Sequence, residues 1–148
     1  MKVAHDGGFS LVELMVVLAI IAILIAVATP TLMGPRRAAQ DTAAQATLVA
    51  ALKTEEIAAT DDGTYTGDTS VLEGLEPSLD WSGASDNSVH VVIGAVSGET
   101  ESVLLYTKSN SGTWFGLRQL NAASNRYQCR GTAESNVDDL TDCTGYDW

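Results

Sequence analysis

Hydrophobic and polar positions are spread very unevenly along the chain. Positions 14–28 read LMVVLAIIAILIAVA without one charged or strongly polar side chain, and widening the window to 9–33 admits a single charge, Glu13. Nothing in this block alternates at the two-residue period of a strand, and no polar face recurs at the helical period. The pattern predicts a helix that is apolar all round, which must sit in lipid or inside protein. Roughly 25 residues at about 1.5 Å of rise each are enough to cross a bilayer core. The rest of the chain is too small to enclose such a helix, so lipid or other copies of the chain are its surroundings. Pro30 and the pair Gly34-Pro35 follow. Proline removes an amide donor and crowds the preceding turn, so a kink or local opening is expected at Pro30, Gly34 and Pro35.

Helical character resumes over 38–60, AAQDTAAQATLVAALKTEEIAAT. The stretch is alanine-rich, which suits helix propensity. Leu48, Val49, Leu52 and Ile57 are expected to form a short stripe packed on the remainder of the fold, while Ala39, Ala43, Ala46 and Ala50 permit close helix neighbours. Asp61-Asp62-Gly63 supplies the stop. Beyond it the composition shifts to Gly, Ser, Thr, Asn and Asp with short apolar runs between. Residues 88–96 (SVHVVIGAV), 102–108 (SVLLYTK) and 113–119 (TWFGLRQ) read as strands, with a further one at 126–130. Gly98 and Asn110-Ser111-Gly112 lie between them as hairpin loops. Three or four antiparallel strands laid on an amphipathic helix bury a core, where one hairpin does not. Residues 64–87 are read as a loop-rich crossover, and Trp81, Trp114 and Phe115 as core or edge aromatics. The fold class is therefore α+β.

Composition narrows the chemistry. A chain of 148 residues holds one compact domain and an appendage. Eight Lys and Arg against 19 Asp and Glu leave a net charge of −11, which disfavours direct nucleic-acid binding, since that depends on clustered cations displacing counterions. A hydrophobic share of 45% excludes a disordered chain of this charge. The two cysteines, Cys129 and Cys143, show no C-x₂-C metal spacing. In an exported head they meet oxidising conditions, where a disulfide closing a loop of about 15 residues stabilises by about 3 kcal/mol in the chain-entropy model; free thiols are the alternative. Asp138, Asp139 and Asp142 between them fit no EF-hand spacing and are read as a solvated acidic loop, so no metal is expected. His90 sits among valines in a strand pattern, where histidine is structural, and His5 lies in the first eight residues. No nucleophile–base pair, phosphate-binding glycine loop or metal-ligand cluster is visible; neither catalysis nor a cofactor is expected.

Three readings compete for the apolar block. A cleaved secretory signal would use Ala26-Val27-Ala28 as its A-x-A site, but its basic start holds only Lys2, offset by Asp6. A plain membrane anchor explains the length and leaves Glu13 without a purpose; at mid-membrane depth a charge costs about 2.5–3.5 kcal/mol. The third reading rests on Gly7-Gly8-Phe9-Ser10-Leu11-Val12-Glu13-Leu14, followed by Ala19-Ile20-Ile21-Ala22-Ile23-Leu24 and Pro30. This stretch, the first third of the chain, resembles the N-terminus of type IV pilins and their pseudopilin relatives.

That resemblance implies a type IV pilin fold: a long N-terminal α-helix packed on a small antiparallel β-sheet head with a C-terminal disulfide loop. It divides the chain into a leader at 1–8, a helix at 9–62 with an apolar half and an amphipathic half, and a head at 63–148. A prepilin peptidase would cut between Gly8 and Phe9 and methylate the Phe9 amine. The chain would wait in the membrane as a single-pass protein among lipids. It would then polymerise with copies of itself, and with minor pilins, into a helical filament at the cell surface. A membrane assembly platform and its ATPase would drive extension. The resemblance also implies a surface loop closed by Cys129 and Cys143. Adhesion, motility and DNA uptake are uses of such fibres. A pseudopilin of a type II secretion or competence system is the near alternative, and a membrane-anchored extracytoplasmic binding module the distant one.

Glu13 itself supports two roles. Ser10-Leu11-Val12-Glu13 fits the S-x-x-E capping box, and a carboxylate near a helix N-terminus is favoured by the macrodipole. By the resemblance, Glu13 attracts the cationic Phe9 α-amine of an adjacent subunit during assembly, an amine with a reference pKa of about 7.7–8.0. Arg36 and Arg37 are either a solvated pair or a charge match to acidic neighbours in a filament.

Overall fold

The computed structural model describes residues 8–121, 125–145 and 148. Apart from Gly8, the leader expected at 1–8 lies outside the described residues. Helix α1 runs over Leu11–Asp62 and is continuous across positions 30, 34 and 35. Compactness divides the chain into two units, Met1–Arg36 and Arg37–Trp148. In the first, residues 11–28 form an exposed apolar helix. The second holds the rest of α1 and the whole sheet.

The helix stops where the sequence suggests. Gly63 takes a left-handed φ of 72°, and its N–H donates to Ala59 O at 2.8 Å. This is the glycine cap that satisfies an orphan carbonyl at a helix end. The sheet is a four-stranded antiparallel meander in the order β1-β2-β3-β4: β1 His90–Gly94, β2 Ser102–Lys108, β3 Trp114–Leu120 and β4 Arg126–Gly131. β2 covers the expected 102–108, β3 is the expected strand shifted on by one residue, and β4 extends its expected strand by one residue. β1 is shorter than 88–96 because Val89 N–H leaves the ladder to bond Asp80 O at 2.7 Å.

Alternation along the strands divides the core in two. Val103 and Leu105 of β2 and Phe115 and Leu117 of β3 face α1, where they meet Ala44, Leu48, Ala51 and Leu52. Val49 is partly buried beside them, but Ile57 is 59% exposed, contrary to the expected stripe. The helical period explains the error: nine residues beyond Leu48, Ile57 is turned to the opposite side. Position 55 takes the inward place, and there the side chain is Glu55, fully buried.

On the second face Leu104, Tyr106, Val137 and Cys143 form a smaller cluster with Trp114, Tyr127, Cys129 and Leu140. Both faces are thus covered, which is why β2 is buried over six consecutive residues instead of every second one. Arg118 is buried in β3 and compensated by Glu99, by Ser102 Oγ at 3.3 Å and by the Tyr127 ring at 5.5 Å.

The crossover contains a helix that the sequence pattern does not reveal. α2, Thr69–Leu75, is capped by Asp68, which accepts from Ser70 N–H at 2.9 Å. Two turns with one core residue, Leu72, are too short to display a period. Tyr65, Leu72 and Trp81 pin the segment to the α1-side core, and Trp81 Nε1 donates to Glu76 O at 3.1 Å.

Candidate functional site

At the front of the chain Gly8, Phe9 and Ser10 precede the helix, and Glu13 lies in its first turn. Leu14 N–H donates to Ser10 O at 3.2 Å, so Ser10 occupies the N-cap. Ser10 N–H in turn donates to Glu13 Oε2 at 3.3 Å, the returning half of a capping box. Within one chain, then, Glu13 is engaged by its own helix start. Phe9 is 78% exposed and four residues away, one helical turn from the carboxylate.

Behind Glu13, the described residues of the apolar helix up to Ala28 are uncovered. Thirteen large aliphatic side chains from Leu11 to Val27 are exposed. At about 1.5–3 kcal/mol each for full burial, covering them is worth roughly 20–40 kcal/mol. That exceeds the whole stability of an ordinary domain, about 5–15 kcal/mol. A surface of this kind does not persist in water; it has to be in lipid or against other protein. Arg36 and Arg37 are exposed beyond it, as are Ala39, Ala43 and Ala46.

The C-terminal cysteines form a disulfide, Cys129–Cys143, with Cα atoms 4.6 Å apart. It ties β4 to the segment that covers the second sheet face. Gly116 lies directly beneath: a Cβ there would stand 2.5 Å from Cys129 Sγ and 2.8 Å from Cys143 Sγ. Only a glycine lets β3 pass under the bridge. Gln128 N–H donates to Gly145 O at 2.6 Å, and Trp148 Nε1 to Gly116 O at 3.0 Å, so the chain end is held on the sheet.

His90 stacks on Tyr106 at 4.4 Å, with Trp114 beside them, and has the surroundings of a structural residue. Among the described residues no group of three or more His, Cys, Asp and Glu side chains is arranged to hold a metal ion. Asp139 and Asp142 instead accept local backbone and hydroxyl hydrogens.

Sequence reasoning missed Glu55. Its Oε2 accepts from Thr66 N–H at 3.1 Å, while Oε1 has no partner among the described residues. Burial pushes this carboxyl up to about 7, against a smaller lowering by the Thr66 bond. The signal was available, since 55 continues the 44-48-51-52 stripe, but a charged residue on a core face reads as an interruption. The raised value sets a sign. Between about pH 4.5 and 7 the folded chain binds a proton that the unfolded chain releases, so stability falls as pH rises through this window and levels above it. Asp68, Asp80 and Asp139, lowered by serine or threonine hydrogen bonds, act in the opposite sense and only in the more acidic range. Thermal melts of the full chain in detergent should therefore give a lower Tm at pH 8 than at pH 5.5. Glu55→Gln should raise the unfolding free energy at pH 8 by an amount on the order of 2 kcal/mol and flatten the profile of Tm against pH. An unchanged slope in the variant would refute this assignment.

Comparison with known proteins adds two findings. A family model described as the prokaryotic N-terminal methylation motif matches residues 4–29. Over 109 residues, 73% of this chain and 78% of the relative, the sequence is 36% identical to the type IV wide pilus major component PilA4 of Thermus thermophilus. No solved structure matches the chain significantly.

Proposed function

This chain belongs to the type IV pilin family, and on that premise we propose how it is processed and polymerised into a pilus and which residues do the work. It is a membrane-anchored structural subunit that forms an extracellular pilus. The reading of its assembly is carried above all by one observation: an uncovered apolar helix with a single carboxylate in its first turn.

Cleavage between Gly8 and Phe9 by a prepilin peptidase creates an α-amine, which is then methylated; a secondary amine still carries a proton at neutral pH. In the membrane this cation and the Glu13 carboxylate both lack an external partner. On joining the filament, Glu13 meets the Phe9 amine of a neighbouring subunit, exchanging its Ser10 contact for a charge-assisted one. The aliphatic side chains of residues 11–28 pass from lipid to one another and make the filament core. Pro30, Gly34 and Pro35 give α1 the curvature to follow it. The heads form the outer surface, and a membrane platform with its ATPase supplies subunits. The Thermus relative is a major pilus component, which favours a body subunit of a pilus over a pseudopilin. A building block of this kind needs no catalytic centre, and we assign it none.

The reading is tested on cells that carry the chain together with its own assembly genes. Surface filaments sheared from them, seen by electron microscopy, should yield this chain as a main polypeptide. Recovery of the chain only from the membrane or the medium, with no filament, would overturn it.

A further inference from the structure

We propose that Glu55 is a proton-operated latch between α1 and the crossover: neutral, it keeps residues 64–75 on the core, and ionised, it releases them while the sheet stays folded.

The surroundings of Glu55 favour its neutral form. The side chain is fully buried on the inward side of α1. Its hydrogen bond from Thr66 N–H joins helix to crossover across eleven residues of chain, and its other oxygen meets no donor among the described residues. The side chains that β1, β2 and α2 turn toward this core, Val91, Ile93, Val103, Leu105 and Leu72, are apolar. From β3 and β4 come Gln119 and Arg126, and both are taken up by Glu56, at 2.9 and 3.3 Å. Arg130, also on β4, lines a cavity with Asp41, about four helical turns from Glu55. Lys53 of α1 and Glu73 of α2 are exposed. On the crossover, Tyr65 senses the Glu55 charge, but burial holds its hydroxyl above the ordinary value, so it stays neutral while Glu55 titrates. Among the described residues no cation offsets a charge on Glu55. Burial lifts its carboxyl to about 7, and once ionised it has one backbone donor in place of water.

The crossover gives way before the sheet. α2, seven residues long, is too short to hold as a helix without its contact to the core. β2, by contrast, is paired on both sides, to β1 and β3. Asn121 Nδ2 donates to Gly63 O at 2.9 Å and Val89 N–H to Asp80 O at 2.7 Å, so the crossover is fastened at both ends and lifts between them. Lifting residues 64–75 brings water to Glu55 with the loss of two core side chains, Tyr65 and Leu72. Unfolding the sheet gives up the whole core, so the local opening costs less. The closed form keeps a proton that the open form releases between about pH 4.5 and 7. Opening therefore grows with pH through that window and is level above it.

Amide hydrogen exchange of the full chain in detergent, corrected for the intrinsic rate at each pH, tests the latch. Protection of peptides within 64–75 should fall by about tenfold or more from pH 5.5 to pH 8. It should be insensitive to low urea, because a local opening exposes little surface. β2 should be better protected at both pH values and lose protection as urea is added. Glu55→Gln should hold the protection of 64–75 level across the pH range. Glu55→Met, neutral and of similar length, makes the same prediction should the glutamine chain not fold. A wild-type crossover whose protection is level with pH overturns the latch, as does a folded variant that keeps the full fall. Exchange of 64–75 in step with β2, in both protection and urea dependence, overturns it too, since the opening would then be global.

Discussion

Filaments are expected to disappear when Glu13 is replaced by alanine or leucine, while the chain stays folded and inserted in the membrane. The carboxylate and a neighbour's Phe9 amine are to be buried together in an apolar core. Stranding one member of a fully buried pair costs roughly 3–5 kcal/mol, which corresponds to at least a hundredfold loss in the equilibrium for subunit addition. The competing explanation is local, because Glu13 Oε2 already accepts from Ser10 N–H at 3.3 Å. Losing that cap costs about 1 kcal/mol and frays one turn. Glu13→Gln separates the two. Glutamine at this position still completes a capping box but carries no charge to attract an amine. If Glu13→Gln fails to assemble as completely as Glu13→Leu, the charge is what matters; if it makes normal pili, the carboxylate is a cap and the pairing account is wrong. Membrane fractionation and a melt of the detergent-solubilised variants check that the heads are intact.

The second large effect is expected at the disulfide. Cys129→Ala with Cys143→Ala should lower the stability of the head by about 3 kcal/mol, the loop-closure value for about 15 residues. In a head of this size that is a fall in Tm of roughly 10 °C or more. Position reinforces the estimate. Cys143 is fully buried and belongs to the cluster of Leu104, Tyr106 and Val137, so its loss also loosens the segment that covers the second sheet face. Calorimetry of the full chain in detergent, with and without reductant, measures this. Equal melting temperatures for wild type and variant would mean that the hydrogen bonds from Gln128 and Trp148 hold the segment alone.

The elements read most easily in the sequence are those whose pattern is long or whose punctuation is strict. The apolar block has no polar face to confuse its period, and Gly63, Gly98 and Gly112 stand at positive φ where the chain turns. β2 was legible because valine, leucine and tyrosine crowd between two turn signals. α2 was not, since seven residues with one buried leucine carry no usable period. The same limit hid Glu55: its inward position depends on helix phase across Leu48 and Leu52, and chemical type pointed the other way. Glu13 was conspicuous as a lone charge beside an apolar run, yet its two roles differ only in whether the partner is its own Ser10 or another chain. A single sequence lists both partners and does not rank them; what covers residues 11–28 is intermolecular.

The central claim is that the chain is cut at Gly8–Phe9 and kept whole from there, because both the amine and the apolar helix are needed for assembly. Intact-mass and N-terminal peptide mass spectrometry of the protein from its native cell envelope tests this most directly. The account predicts a chain that begins at Phe9 and carries one added methyl group. A chain beginning at Thr29 would mean a secreted head without its helix, and an unprocessed Met1 start in assembled pili would remove the amine on which the pairing with Glu13 depends.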